Sequence, residues 1–193
     1  MATQNTRGAR MAQIAPEKMS DAQKKAAEEL ASGPRGRVSG PFNVLLRSPE
    51  LMTPLQKVGE YLRFKSQLDR RIAEMATLIA ARQWTQVYEW SAHHPLALKA
   101  GLKPELADAI AEGRRPTNMA ADEEVVYDLL TEVFQNRCVS DVTYERGMKQ
   151  FGEQQVVELV ALAGYYALLG MLMNVARTQL PDGKEPGMPH FPN

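Results

Sequence analysis

Cysteine is nearly absent from this chain: of 193 residues, only Cys138 carries a thiol. A single cysteine forms no internal disulfide, so stability must come from packing, and a reducing, cytoplasmic setting is expected. Net charge is absent as well. Lys plus Arg and Asp plus Glu each number 23, giving a formal net charge of +0, so neither nucleic acid nor an anionic membrane surface is an expected partner. Long apolar runs are missing too. The longest uncharged apolar stretch, Leu159 to Met173, is shorter than the roughly 18 to 20 residues a membrane span needs. It is expected to be a buried core helix. Met1 to Pro16 holds Arg7 and Arg10 but lacks the apolar segment of a secretory signal. There is no convincing strand pattern, no sustained heptad and no low-complexity run.

What is present is helix punctuated by caps. Residues 1–18 are polar and small and are expected as a flexible tail. Residues 19–180 are expected to form one all-α domain, and 181–193, with four prolines, an irregular C-terminal tail. Ser20-Asp21-Ala22-Gln23 is a capping box, followed by helix formers to Ala31 and a stop at Gly33-Pro34-Arg35-Gly36. Ser48-Pro49-Glu50 opens a helix whose apolar stripe reads Leu51, Leu55, Val58, Tyr61 and Leu62. Ser66-Gln67-Leu68-Asp69 reads as a second capping box, opening a helix through about Arg82. The middle of that helix, Met75 to Ala81, is apolar on every side. Thr85 is expected to cap the next helix, which Pro95 should kink and Gly101 should end. Pro104 to Glu112, Asp122 to Asn136 and Ser140 to Gly152 read as three more helices, and Glu153 to Thr178 as the longest. Two of these helices are apolar over most of their circumference, more than one domain of this size readily covers. A homo-oligomer is therefore expected.

Reactive polar side chains concentrate in one apolar neighbourhood, Trp84 to Pro95. Two of the three histidines and both tryptophans fall there. On a helix, Gln86, Glu89 and His93 share one face. Glu74 lies one helix earlier, inside the apolar segment, where an unpaired carboxylate is expensive to bury. At this point the sequence resembles the carboxymuconolactone decarboxylase family, which includes the alkylhydroperoxidase D enzymes. The peroxidase branch of that family carries a Glu, a Cys-x-x-Cys pair and a His. Here Glu74, Gln86, Glu89 and His93 keep that frame, with both cysteine positions replaced. Gly40-Pro41, Leu45 to Glu50, Leu98 to Leu102, Gly164-Tyr165-Tyr166 and Met173-Asn174 also look like the family. The resemblance covers roughly residues 38 to 181.

The resemblance implies an alkylhydroperoxidase D-like helical bundle, a trimer or hexamer with a pocket near the subunit interface, and chemistry without a cofactor. It suggests a lyase or decarboxylase acting on a small carboxylated lactone or an enol or keto acid, in aromatic-compound catabolism. In that reading His93 moves the proton, and Glu89 or Glu74 sets its tautomer. Gln86 donates to a developing oxyanion, and an arginine, with Arg82 nearest in sequence, holds a substrate carboxylate. Tyr88 and Trp90 are candidate substrate contacts, although packing roles suit both. A metal on Glu89, His93 and Glu74 is feasible geometry, but no metal is expected. Thiol peroxidase chemistry is disfavoured, because Gln86 and Glu89 cannot supply thiols. The alternative to an enzyme is a helical oligomer that binds a ligand or partner through the same frame.

Overall fold

A computed structural model describes residues 8–181, 184, 185 and 187–189. Among these the chain forms eight α-helices and no strand: α1 (Asp21–Ser32), α2 (Pro41–Leu45), α3 (Pro49–Phe64), α4 (Arg70–Gln83), α5 (Val87–Lys99), α6 (Pro104–Ala111), α7 (Ala121–Asn136) and α8 (Asp141–Ala176). The expected all-α architecture is what the chain adopts. Helix α4 lies at the centre, packed against α5, α6, α7 and α8. Every residue from Ile72 to Arg82 is buried, so the apolar segment around Met75 to Ala81 is enclosed on all sides. Fully burying side chains such as Ile72, Met75 and Leu78 stabilises the fold by about 1.5–3 kcal/mol each.

The caps explain where the helices start. Ser20 and Gln23 form the expected reciprocal box at α1. At α4 the cap lies three residues later than expected. Asp69 Oδ1 accepts from the Arg71 and Ile72 amides, while the Ser66 hydroxyl donates back to Leu62 O and closes α3. At α5 the cap is the Gln86 side chain, which accepts from the Tyr88 amide at 2.8 Å. Thr85 instead takes a left-handed turn, φ 45°, between α4 and α5. The helix then continues through Pro95 to Lys99.

Helix α8 breaks at Gly152, whose φ of 73° and ψ of 169° belong to a region essentially reserved for glycine. The sequence boundary between two helices at this point is therefore real, although the two run on from one another. By length and composition α8 could cross a membrane, and 56% of its most apolar window is buried within the fold. Its uncovered side carries Val157, Val160, Met171 and Val175, all exposed, with Gly164 open between them.

Three expectations need correction. Most of the apolar stripe expected on α3 points outward: Leu51, Val58 and Tyr61 are exposed, whereas Leu62 is buried and Leu55 packs partly on the core, and the rest of the buried face is Met52, Gln56 and Gly59. Helix α2 starts at Pro41, where the loop after α1 was expected to end, and no helix was expected before Ser48. The tails are also anchored over their described parts. The Arg10 amide donates to Ala176 O at 2.9 Å and Pro16–Lys18 form a 3-10 turn. Met188 is buried in the core. Residues 1–7, 182–183, 186 and 190–193 of the expected tails lie outside the described residues.

Candidate active site

The site begins with a carboxylate that ought to be unwelcome. Glu74, 2% exposed, sits in the first half of α4 among apolar neighbours. It persists there because both of its oxygens are taken. Arg70, one turn earlier, reaches Oε1 at 2.5 Å, and His93 Nδ1 from α5 lies 2.7 Å from Oε2. A carboxylate accepting at Nδ1 holds the proton there and leaves Nε2 as the free lone pair of the neutral imidazole. Of the two acids the sequence left open, Glu74 is the one within hydrogen-bond distance of the imidazole. Glu89 approaches the opposite nitrogen, with Oε2 3.6 Å from Nε2, beyond hydrogen-bond length. The His93 ring is held edge-on by Tyr166 at 4.8 Å between centroids, and Tyr166 in turn meets Tyr165 at 5.5 Å.

Glu89 is 3% exposed, and its Oε1 has no protein partner. Burial pushes its carboxyl above the ordinary Glu value of about 4.5, with His93, Arg63 and Arg35 pulling the other way. A raised carboxyl pKa means that the unfolded chain loses this proton first as the pH climbs. The stability contributed by protonated Glu89 is full below about 4.5 and is lost as pH rises through the folded value. Glu89→Gln, which has no proton to lose, should therefore gain stability relative to the natural protein as pH rises above about 4.5. Melting temperatures of both proteins across pH check this. Parallel curves would mean that Glu89 is ionised in the folded protein as readily as in the unfolded chain.

His93, Glu89 and Tyr88 line a cavity of about 490 Å³. Its far walls are Phe42 from α2, Arg63 from α3, Tyr165, Tyr166 and Leu169 from α8, and Arg35 and Arg37 from the loop between α1 and α2. The space for Tyr165 exists because α3 has Gly59 at the crossing. A Cβ there would overlap the Tyr165 phenol and come within 2.6 Å of Arg35 Nη2. Gly40 plays a similar part for Tyr88: its φ is 55°, and a Cβ would fall 2.6 Å from Tyr88 Cε1. Burial pushes the phenols of Tyr88, Tyr165 and Tyr166 up from their ordinary value, so they serve as neutral hydroxyls.

Of the residues singled out in the sequence, Glu74, Glu89 and His93 converge, and Tyr88 joins them on the cavity wall. Three do not. Gln86 does not line the cavity. Its oxygen caps α5 and its Nε2 donates to Asn174 Oδ1 at 2.8 Å. Arg82 lies on a separate, smaller cavity with Ile79, Gln83, Ile110 and Tyr127, and it donates to Pro189 O. Trp90 is 1% exposed, packed in the core and stacked on His94 at 5.7 Å. Arg35, Arg63 and Arg70 were missed as site residues. The one available signal was a basic Pro34-Arg35-Gly36-Arg37 loop, which reads equally well as a helix terminator. Cys138 is exposed, between α7 and α8.

Residues 49–132 match the carboxymuconolactone decarboxylase family model. That segment holds Glu74, Glu89 and His93. No curated protein matches the chain significantly. Two solved structures share the fold. One is from Agrobacterium tumefaciens and is described as an antioxidant defence protein AhpD of unknown function. It is 16% identical, with a TM-score of 0.65, covering 74% of this chain and 99% of that one. The other, from Ralstonia eutropha JMP134, is described as an alkylhydroperoxidase AhpD core and a peroxidase-related protein. It is 16% identical, with a TM-score of 0.72, covering 90% of this chain and 93% of that one. Residues 49–132 are thus similar to the carboxymuconolactone decarboxylase family, and the chain has an AhpD-like fold without a Cys-x-x-Cys pair.

Proposed function

We propose that the protein is a cofactor-independent, acid–base enzyme of the lyase type, acting on a small carboxylated lactone or an enol or keto acid. The observation that carries this reading is the Glu74–His93 pair. A buried imidazole is fixed at Nδ1 by a carboxylate at 2.7 Å, its Nε2 directed toward a second, buried acid at the wall of a cavity. Neutral His93 can accept a proton from a carbon acid at Nε2. Glu89, whose carboxyl pKa burial raises, can donate one in its protonated form. If a carboxylate β to a carbonyl leaves as CO2, the C–C electron pair stays on the enolate, and the Glu89 proton is delivered to its carbon. The positive cavity wall stabilises the enolate, on which the negative charge of the departing carboxylate is left.

The chain's one thiol, Cys138, stands exposed outside the frame, so the two-thiol route of the peroxidases has no counterpart here. A screen of lactones and β-keto acids for turnover or for loss of CO2 tests the reading. Absence of turnover across ligands shown to occupy the cavity would leave a binding protein in its place. Self-association accompanies this proposal. The exposed apolar stripe on α8, from Val157 to Val175 around Gly164, and the Leu51, Val58 and Tyr61 face of α3 are more apolar surface than a monomer comfortably exposes. A trimer or hexamer is expected by light scattering at micromolar concentration, and a monomer there would remove the point.

A further inference from the structure

Four arginines face the cavity, and three of them make no ion pair among the described residues. Arg70 is committed, to Glu74 at 2.5 Å and to Arg63 O at 3.0 Å. Arg37 sits exposed at the rim. Arg35 and Arg63 differ from both. Each is half-buried, each has a buried Nε with no protein partner, and neither makes an ion pair among the described residues. Arg35 Nη2 donates to the Tyr165 hydroxyl at 3.3 Å, and its guanidinium lies 4.5 Å over the Phe42 ring. The Arg63 guanidinium lies 5.1 Å from the Phe64 ring centre. Burial lowers the Arg35 pKa, and the neighbouring Arg63 guanidinium adds to the fall. Partly desolvated like charges that lack a counterion are costly. The one carboxyl beside them, Glu89, makes no ion pair with either, and burial raises its pKa against the pull of His93, Arg63 and Arg35.

We propose that Arg35 and Arg63 form a carboxylate clamp. One carboxylate of a small ligand is held between the two guanidiniums, and its ring body lies on Phe42, Tyr165, Tyr166 and Leu169. The clamp is built from two sources. Arg63 comes from α3 inside the family segment, whereas Arg35 comes from the loop between α1 and α2, upstream of residue 49 where the family match begins. That loop thus acts as a specificity element added to the shared helical core. A guanidinium presents a fork of donors that matches a planar carboxylate. The surrounding rings favour an aromatic or alicyclic acid over a bare inorganic anion. This deepens the function proposed above and rests on the same cavity, but binding rather than turnover decides it.

Calorimetric titration of the full chain with benzoate, phthalate, benzamide and inorganic phosphate tests the clamp. The natural protein should bind a carboxylate saturably, with benzamide, the neutral isostere of benzoate, weaker by about 10-fold or more. Arg35→Gln and Arg63→Gln should each weaken carboxylate binding by about 10- to 100-fold. Arg35→Lys keeps the charge but loses the fork, and should fall in between. Without ligand, Arg35→Gln should melt no lower than the natural protein, because it removes a repulsion. A purely structural arginine would lower the melting temperature instead. Should Arg35→Gln fail to fold, that structural outcome counts against the clamp, and Arg63→Gln and Arg35→Lys decide the rest. Benzamide binding as well as benzoate, phosphate binding more tightly than either acid, no carboxylate binding at all, or arginine variants binding like the natural protein would each overturn it. Carboxylate binding lost in the arginine variants, with no turnover of any bound acid, would instead leave the clamp standing and remove the enzyme.

Discussion

His93→Gln is expected to lower turnover by about 10²- to 10⁴-fold, the usual worth of a positioned proton-transfer group, while the helical fold survives. The reason lies in the two ends of the imidazole. At Nδ1, a glutamine amide at position 93 can still donate toward Glu74 Oε2, the contact now made at 2.7 Å, so the buried carboxylate keeps a partner. At Nε2 nothing replaces the lone pair, because an amide is not a base at neutral pH. Rate should therefore fall much further than stability. If the pair is structural instead, the outcome inverts. The variant would lose about 1–3 kcal/mol through imperfectly paired buried groups and keep its rate per folded molecule. Melting temperature and turnover measured on the same preparation separate the two.

Trp90→Ala should show the opposite profile. Trp90 sits three residues before His93, and on sequence it is a candidate substrate contact that a packing role also suits. In the fold it faces the core, 1% exposed, stacked on His94 at 5.7 Å and touched by the C-terminal segment. A Cβ at Gly187 would come within 3.2 Å of its ring. Truncating a buried tryptophan costs about 3–5 kcal/mol. For a chain of this size that is a fall of about 6–20 °C in melting temperature. Carboxylate affinity, measured well below the melting point, should change little, because the ring is not part of the cavity wall. A large loss of affinity with an unchanged melting temperature would place Trp90 on the ligand after all.

These two residues show what a sequence can and cannot disclose. Glu74 was legible because burying a carboxylate on an enclosed helix demands a partner, and His93 was the titratable group at the matching position on the next helix. The helices themselves were legible from caps and stops, and the break at Gly152 from a glycine between two helical patterns. Direction was harder. A 3.6-residue period says that α3 has an apolar stripe, but α3 has two candidate faces, and Gln56 and Gly59 make the buried one look polar and weak. Taking the more apolar face as the inner one hid Arg63 from view. Arg35 was hidden for another reason: a loop carries no period, so nothing local says which way its side chains turn. Arg82 and Gln86 were drawn toward the site by nearness in sequence. On the central helix α4, Arg82 is two turns beyond Glu74 and emerges at the other end of the fold, beside α6 and α7.

Gly59 carries a consequence for anyone seeking a hardier version of this protein. A glycine in the middle of a 16-residue helix is an obvious target, since alanine there improves helix propensity by about 1 kcal/mol. The added methyl group would land on the Tyr165 phenol and against Arg35, the two groups that carry the far wall of the cavity. Both have flexible ends and can swing aside, so the protein could still fold, and even melt later, with its recognition surface displaced. Position 59 is therefore one where robustness and recognition are set against each other, and where a screen scored on heat resistance alone would select for a protein that no longer knows its ligand.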